Sequence, residues 1–367
     1  MMDWYQVNNI TKIDSPSLIV YPHRVKENID RLITMAGSSN NVRPHVKTNK
    51  MAEVCSLLLQ AGINKFKCAT IAEAEMLAEI DAPDVLLAYQ PVGPKADRLL
   101  QLVMNFPDTR FSCIIDNPHT ASILSELFAS HQLIVNTFID LNIGMNRSGI
   151  LPEKALALYK ACQSLSGLQI IGLHAYDGHI RDTDLNLRNQ RSDDAFARVT
   201  QVIKEIAAIS PESLQIVIGG SPSFPTHTKR KGVQYSPGTF VFWDWGYKHL
   251  VPDEPFEYAA LVITRVISVI DEQTVCTDLG HKSVAAENPL PRVHFLNAPD
   301  ATPISQSEEH LVLKFPGKTN WQVGDVLYGV PVHICPTVAL YDTAVIVENN
   351  EVVNNWKVIA RTRKISI

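Results

Sequence analysis

The sequence predicts an α/β protein, a (β/α)8 TIM-type barrel followed by a C-terminal, mostly β domain. Three observations carry this. From residue 42 to about 240, short apolar runs alternate with helical patterns, as in successive βα units that build a parallel sheet. Eight strand-like runs fall in that stretch, the number that closes such a barrel, and roughly 200 residues meets its lower size limit. Beyond about residue 255 the long helical patterns stop, and strands joined by polar turns follow.

The barrel strands are read at Val42–Lys47, Lys65–Ala69, Val85–Tyr89, Phe111–Asp116, Ile134–Leu141, Leu168–Ala175, Leu214–Ile218 and Gln234–Pro237. Helical patterns separate them at Ile71–Ile80, Lys95–Asn105, Pro118–Ala129, Pro152–Leu165 and Asp184–Ile209. An open doubly wound sheet would also alternate, but it usually carries a Gly-rich turn after its first strand. Here that strand ends in Lys47 instead. The later strands are Tyr258–Ile270, Gln273–Asp278, His310–Lys314, Val326–Tyr328 and Ala344–Val347. We read a barrel domain over 15–250 and a β domain over 251–367, which residues 1–14 could join. An early strand, Ser17–Tyr21, fits either domain.

Composition sets the class. The chain has 367 residues, is 46% hydrophobic and 19% charged, and carries a net charge of −5. No Lys/Arg run is interleaved with aromatics, which speaks against nucleic acid as a partner. The start lacks a basic and apolar leader, and no apolar run approaches the roughly 18–20 residues of a membrane span. Six scattered cysteines without a C-x-x-C pair read as reduced core residues, so the cytoplasm is the expected compartment.

Chemistry is expected at the carboxyl ends of the barrel strands. Lys47 ends the first, and a lysine there can form a Schiff base once neighbouring charge or desolvation frees its amine. Arg43 and His45 are the expected sources of that charge. After the fifth strand, Asn142-Ile143-Gly144-Met145-Asn146-Arg147-Ser148-Gly149 is a turn that delivers one arginine. After the sixth comes Ala175-Tyr176-Asp177-Gly178-His179, dense in titratable groups. The seventh and eighth end in Gly219-Gly220-Ser221 and Ser236-Pro237-Gly238-Thr239, small residues that suit a phosphate monoester. A reactive lysine facing a phosphate cradle describes pyridoxal 5'-phosphate. In the β domain, His333 and Cys335 are two residues apart on what reads as an extended segment. Both could hold one metal ion and leave positions open for substrate.

Together these motifs resemble the D-threonine aldolase / D-serine dehydratase-like family of fold type III, alanine-racemase-like pyridoxal-phosphate enzymes. The motifs are Arg43 to Thr48, Asn142 to Gly149, Ala175 to His179, Ser236 to Thr239, and His333-Ile334-Cys335-Pro336-Thr337. The resemblance runs over nearly the whole chain. It implies a homodimer with a divalent metal beside the cofactor. It makes Lys47 the Schiff-base lysine, puts Arg147 at the pyridine-ring oxygen and Tyr176 at the pyridine nitrogen. It assigns Gly219, Gly220, Ser221, Gly238 and Thr239 to the phosphate, and His333 and Cys335 to the metal. Two departures stand out. Asn49 replaces a histidine common in the family, and the His-x-Cys pair is dehydratase-like although its flanks look aldolase-like.

The activity so implied is a metal-assisted lyase acting on small D-3-hydroxy amino acids, by aldol cleavage or by β-elimination of water. A thiolate ligand suits Zn²⁺, with Mn²⁺ or Mg²⁺ as alternatives. His179 and Asp182 are candidate proton-transfer residues. Two other readings compete. An amino-acid racemase of the alanine-racemase fold would need a second base, for which Tyr328 and Tyr341 are available. A non-catalytic cofactor carrier would need neither the β domain nor the His-x-Cys pair.

Overall fold

Seven parallel strands run side by side in chain order in the computed structural model, which describes residues 3–367: Lys65–Cys68, Asp84–Leu87, Arg110–Ile115, Val135–Leu141, Leu168–Ala175, Gln215–Ile218 and Val233–Tyr235. The lysine segment completes the ring. Val42 bridges Tyr235 on one side, and His45 bridges Lys67 on the other, both in parallel. Backbone bonds from Arg43 N–H to Tyr235 O (2.8 Å), Val46 N–H to Lys67 O and Lys67 N–H to Pro44 O (2.9 Å each) hold it there. Pro44 has no N–H to donate, so a regular ladder is broken into single bridges where the sequence predicts a continuous strand.

Helices Ile71–Glu79, Pro94–Asn105, Pro118–Ser130, Pro152–Cys162 and Leu185–Ala207 connect the strands near the predicted positions. Their starts explain themselves. Thr70, Asn117 and Asp184 accept the N–H of the third helical residue, and Pro94, Pro118 and Pro152 supply a preset φ in the first turn. Inside the barrel, Leu86, Ile114, Phe138 and Val217 form an apolar layer. Toward the amino ends of the strands lies a polar floor. Arg43 is fully buried and reaches Asp84 (2.6 Å) and Gln234 (2.7 Å), while Arg110 holds the other Asp84 oxygen. This corrects one expectation: the guanidinium of Arg43 is spent on Asp84 and does not supply charge to Lys47.

The chain divides into two compact units. One comprises Leu32–Lys47, Cys55–Gly238 and Thr362–Ile367; the other comprises the chain up to Arg31, Thr48–Val54 and Thr239–Arg361. The second is built on a nine-stranded sheet centred on the long strand Ala260–Asp271. Ser17–Val20 belongs to this sheet, antiparallel to Ala260–Asp271 and parallel to Thr343–Glu348. Leu18, Ile19 and Val20 are buried there.

Three strands are absent from the sequence reading: Val293–Phe295, Thr302–Gln306 and Glu351–Lys357. The last is exposed at nearly every position and so offers no alternating apolar face. The helix Pro22–Ala36 was also unread, although Val25, Ile29, Leu32 and Ala36 mark its buried stripe. No described helix is long and apolar enough to cross a membrane. All six cysteines are free; five are buried and Cys335 is half-buried.

Candidate active site

At the carboxyl ends of the barrel strands, a cavity of about 610 Å³ is lined by His45, Lys47, Gln90, Asp116, Asp140 and Arg147, among others. The Tyr176 ring gathers three cations. Arg147 lies 4.9 Å from its centroid, and the amines of Lys47 and Lys67 lie 5.8 Å away. Among the described residues no carboxylate forms an ion pair with any of the three. A positive cluster of this kind suits a polyanionic ligand.

The turn that presents Arg147 is shaped by its own side chains. Asn142 Oδ1 accepts the N–H groups of Gly144 and Asn146 (3.1 Å each), and Ser148 donates to Asp140 (3.0 Å). Gly149 has φ +94°, and a Cβ there would sit 2.7 Å from Asn142 N. Asp140 is held on its other oxygen by His174 Nδ1 at 2.7 Å.

The two predicted phosphate loops come together. Gly238 N–H points at Ser221 Oγ across 3.4 Å. Gly219 N–H bonds Ala175 O, and Gly220 N–H bonds Ser223 Oγ at 3.2 Å. Behind them is a buried network: Asp177 accepts from Ser223 (2.6 Å) and pairs with His227 (2.7 Å). Burial opposes the charge on Asp177, but His227 and these hydrogen bonds outweigh it and hold the carboxyl below its usual range.

His179 and Asp182 do not join this cavity. His179 packs on Gly144 and lines a separate hollow with Arg191 and Arg198. Asp182 is held through both oxygens by Arg191 at 2.9 and 3.0 Å. The residue missed in the sequence is Lys67. A lysine in an apolar strand pattern resembles an outward-facing residue, and only barrel closure turns it inward.

In the β unit, His333 immediately precedes the short helix Ile334–Val338 without capping it through its side chain, and Cys335 lies in the first turn, so the predicted extended segment is helical from Ile334 on. The pair stays together. His333 shares a hydrogen bond with Cys335, its Nδ1 bonds Glu287, and Cys335 Sγ lies 3.1 Å from Thr48 Oγ1 and 3.5 Å from Thr239 Oγ1. Burial disfavours a charged imidazole, yet Cys335, Asp244 and Glu287 raise His333 to about 9. Asp244 secures the helix start by accepting the Ile334 N–H (3.1 Å). Among the described residues no group of three or more His, Cys, Asp or Glu side chains is arranged to hold a metal ion. The donors present are an imidazole, a thiol and one carboxylate on the imidazole, a set of zinc-like softness.

Two candidate racemase bases are occupied. Tyr328 accepts the N–H of Val7 (3.3 Å), and Tyr341 donates to Ser283 O (2.7 Å). Asn49 is buried and accepts the Met51 N–H at 3.0 Å, a structural task.

Residues 20–244 match the family model described as alanine racemase, N-terminal domain. The chain belongs to that family. Residues 259–347, with His333 and Cys335 inside them, match the putative serine dehydratase domain. A D-threonine aldolase from Arthrobacter sp is 26% identical, covering 96% of this chain and 94% of the relative. The 3-hydroxy-D-aspartate aldolase of Paracoccus denitrificans (strain Pd 1222) is also 26% identical, over 96% and 93%. Among solved structures, D-threonine aldolase from Filomicrobium marinum superposes with a TM-score of 0.88 at 26% identity, covering 95% of each chain. The family resemblance read from the motifs therefore holds, and the chain is an enzyme of the pyridoxal-phosphate-dependent lyase class.

Proposed function

We propose that this enzyme cleaves small D-3-hydroxy amino acids between Cα and Cβ, giving glycine and an aldehyde. The observation that carries the reading is the cation cluster of Lys47, Lys67 and Arg147 about Tyr176 beside a 610 Å³ cavity, in a chain similar end to end to two aldolases. Bound there, pyridoxal phosphate would supply an electron sink for the bond that breaks at Cα. A divalent ion on His333 and Cys335, most simply Zn²⁺, would supply Lewis acidity toward the substrate hydroxyl.

The protein's own residues do the rest. Lys47 would be the residue that holds the cofactor covalently. Arg147 and Tyr176 would bind and orient its ring, and Ser221 and Thr239, with the loops of Gly219, Gly220 and Gly238, would hold its phosphate. Asp140, fixed by His174 and Ser148, keeps the Arg147 turn in place. His179 and Asp182 fall outside this assignment because neither lines the lysine cavity. A homodimer in the cytoplasm, binding a small amino acid and neither nucleic acid nor membrane, completes the reading.

A second reading, β-elimination of water to a 2-oxo acid and ammonia, is favoured by one observation: the ligand beside His333 is a thiol. One assay separates the two. Holoenzyme is incubated with Zn²⁺ or Mn²⁺ and D-threonine, D-serine or D-3-hydroxyaspartate. Glycine with aldehyde supports aldol cleavage, oxo acid with ammonia supports elimination, and racemisation of D-alanine without either product overturns both.

A further inference from the structure

We propose that Glu287 is a positioning residue for the metal pair: it holds Nδ1 of His333, which leaves Nε2 as the nitrogen that takes the metal ion. The proposal rests on the reading of His333 and Cys335 as the metal ligands.

The segment that carries Glu287 is pinned to the helix that carries Cys335. Buried Thr337 donates to His333 O (2.8 Å) and accepts the N–H of buried Ala285 (3.1 Å), so one hydroxyl ties residue 285 to residue 333. Tyr341, just beyond that helix, adds a second tie by donating to Ser283 O (2.7 Å). The chain entering His333 is fixed as well. Val332 N–H donates to Arg292 O (2.9 Å), and Val332 O accepts the Gly246 N–H (3.1 Å). A Cβ at position 246 would lie 2.5 Å from Val332 O, so that approach needs glycine. Two residues beyond Ala285, Glu287 Oε1 then stands 2.5 Å from His333 Nδ1.

The imidazole is free for this task. His333 does not cap the helix Ile334–Val338 with its side chain; Asp244 accepts the Ile334 N–H instead. An imidazole needs a lone pair on one nitrogen to bind a metal, and the hydrogen bond at the other nitrogen decides which one carries it. With the Nδ1 proton donated to Glu287, that nitrogen is Nε2. Cys335 shares a hydrogen bond with the same ring, so the thiol is already at hand. Among the described residues no group of three His, Cys, Asp or Glu side chains surrounds a point where a metal could sit. Glu287 therefore acts through the ring. A site with two protein ligands depends strongly on such support, because a ring free to turn or to exchange its proton holds the ion less well.

The test reads metal affinity and the imidazole proton, not turnover. Full-length holoenzyme is titrated with Zn²⁺ against a competing chelator, each variant being checked for native circular dichroism. Glu287→Ala should bind Zn²⁺ about 10–100-fold more weakly than the unaltered protein, the usual loss when an orienting partner is removed. Glu287→Gln keeps an oxygen that can accept the Nδ1 proton and should recover most of that loss. Long-range 1H–15N spectra of the Zn²⁺-loaded protein, with His333→Ala identifying the signals, should place the imidazole proton on Nδ1. Unchanged affinity in Glu287→Ala, or a metal bound at Nδ1, overturns the proposal. So does a Glu287→Gln protein as weak as Glu287→Ala, since the carboxylate would then act as a ligand or by charge alone. The parent reading fails separately, if His333→Ala and Cys335→Ala both leave Zn²⁺ affinity unchanged.

Discussion

Gly220 owes its missing side chain to Tyr176. A Cβ at position 220 would lie 2.7 Å from the ring's Cε2, and one at Gly178 would lie 2.2 Å from its hydroxyl. The ring is slotted between two glycines from different loops, which fixes the platform around which Lys47, Lys67 and Arg147 are arranged. The sequence reading assigned Gly220 to close approach of a phosphate. The nearer constraint is aromatic packing.

Gly220→Val should therefore act first on Tyr176. Overpacking of this kind costs about 1–3 kcal/mol. Cofactor affinity should fall with it, since the ring must shift. In a Tyr176→Ala background the same substitution should cost less than about 1 kcal/mol, because the clashing atoms are gone. Urea melts of the four proteins measure this. Equal penalties with and without the ring would show that something other than Tyr176 occupies the space.

Lys47→Ala should abolish covalent capture of pyridoxal phosphate. After borohydride reduction of the unaltered enzyme, peptide mapping should place the added mass on Lys47. Recovery of the label on Lys50 or Lys282 would exclude Lys47 from its assigned role.

For the metal pair, chelation should remove the ion and the lyase activity without unfolding the protein, because the surrounding helix is held by Asp244 and Thr337. Cys335→Ala should behave like chelated enzyme, and Cys335→Asp should shift preference toward Mn²⁺. Bound metal measured by mass spectrometry, together with activity, decides. Full activity in the chelated enzyme would remove the metal from the reaction.

At the barrel floor, Asp84→Asn leaves Arg43 buried and uncompensated, and should destabilise by about 3–5 kcal/mol. Burial alone would raise the Asp84 carboxyl, but Arg43 and Arg110 together hold it below its usual value. Its contribution is thus present above the ordinary carboxylate range and lost as pH falls through the lower folded value. Denaturation curves between pH 2 and pH 6 should show that loss in the unaltered protein and a flatter profile in Asp84→Asn.

Lys67 gives the same slope for the opposite reason, since for this group the charged form is the one that burial disfavours. Its folded value, about 7, lies below the ordinary lysine value of 10.5, so the unfolded chain binds the proton more tightly. Stability should rise with pH between those two values, and Lys67→Met should remove the rise. A melting temperature that is flat from pH 7 to pH 10 in the unaltered protein would contradict a buried, neutralised Lys67.

Local signals decided much of this protein. Alternating apolar runs and helix patterns announced the barrel, the glycine-bearing turns announced its carboxyl-end loops, and Lys47, Arg147 and Tyr176 were legible because their types and positions are unusual for strand ends. His333 and Cys335 were legible as a pair, though not as a helix start, since five residues are too few for a periodic signal. What needed the tertiary structure were relations between distant segments. Barrel closure turns Lys67 inward beside Lys47 and spends Arg43 on Asp84 at the other end of the strands. Packing sends His179 to a separate hollow and binds Asp182 to Arg191. Chain order encodes which residues exist and their local period. Which of them share a ring, a carboxylate or a cavity is set only when strands separated by dozens of residues pair in one register.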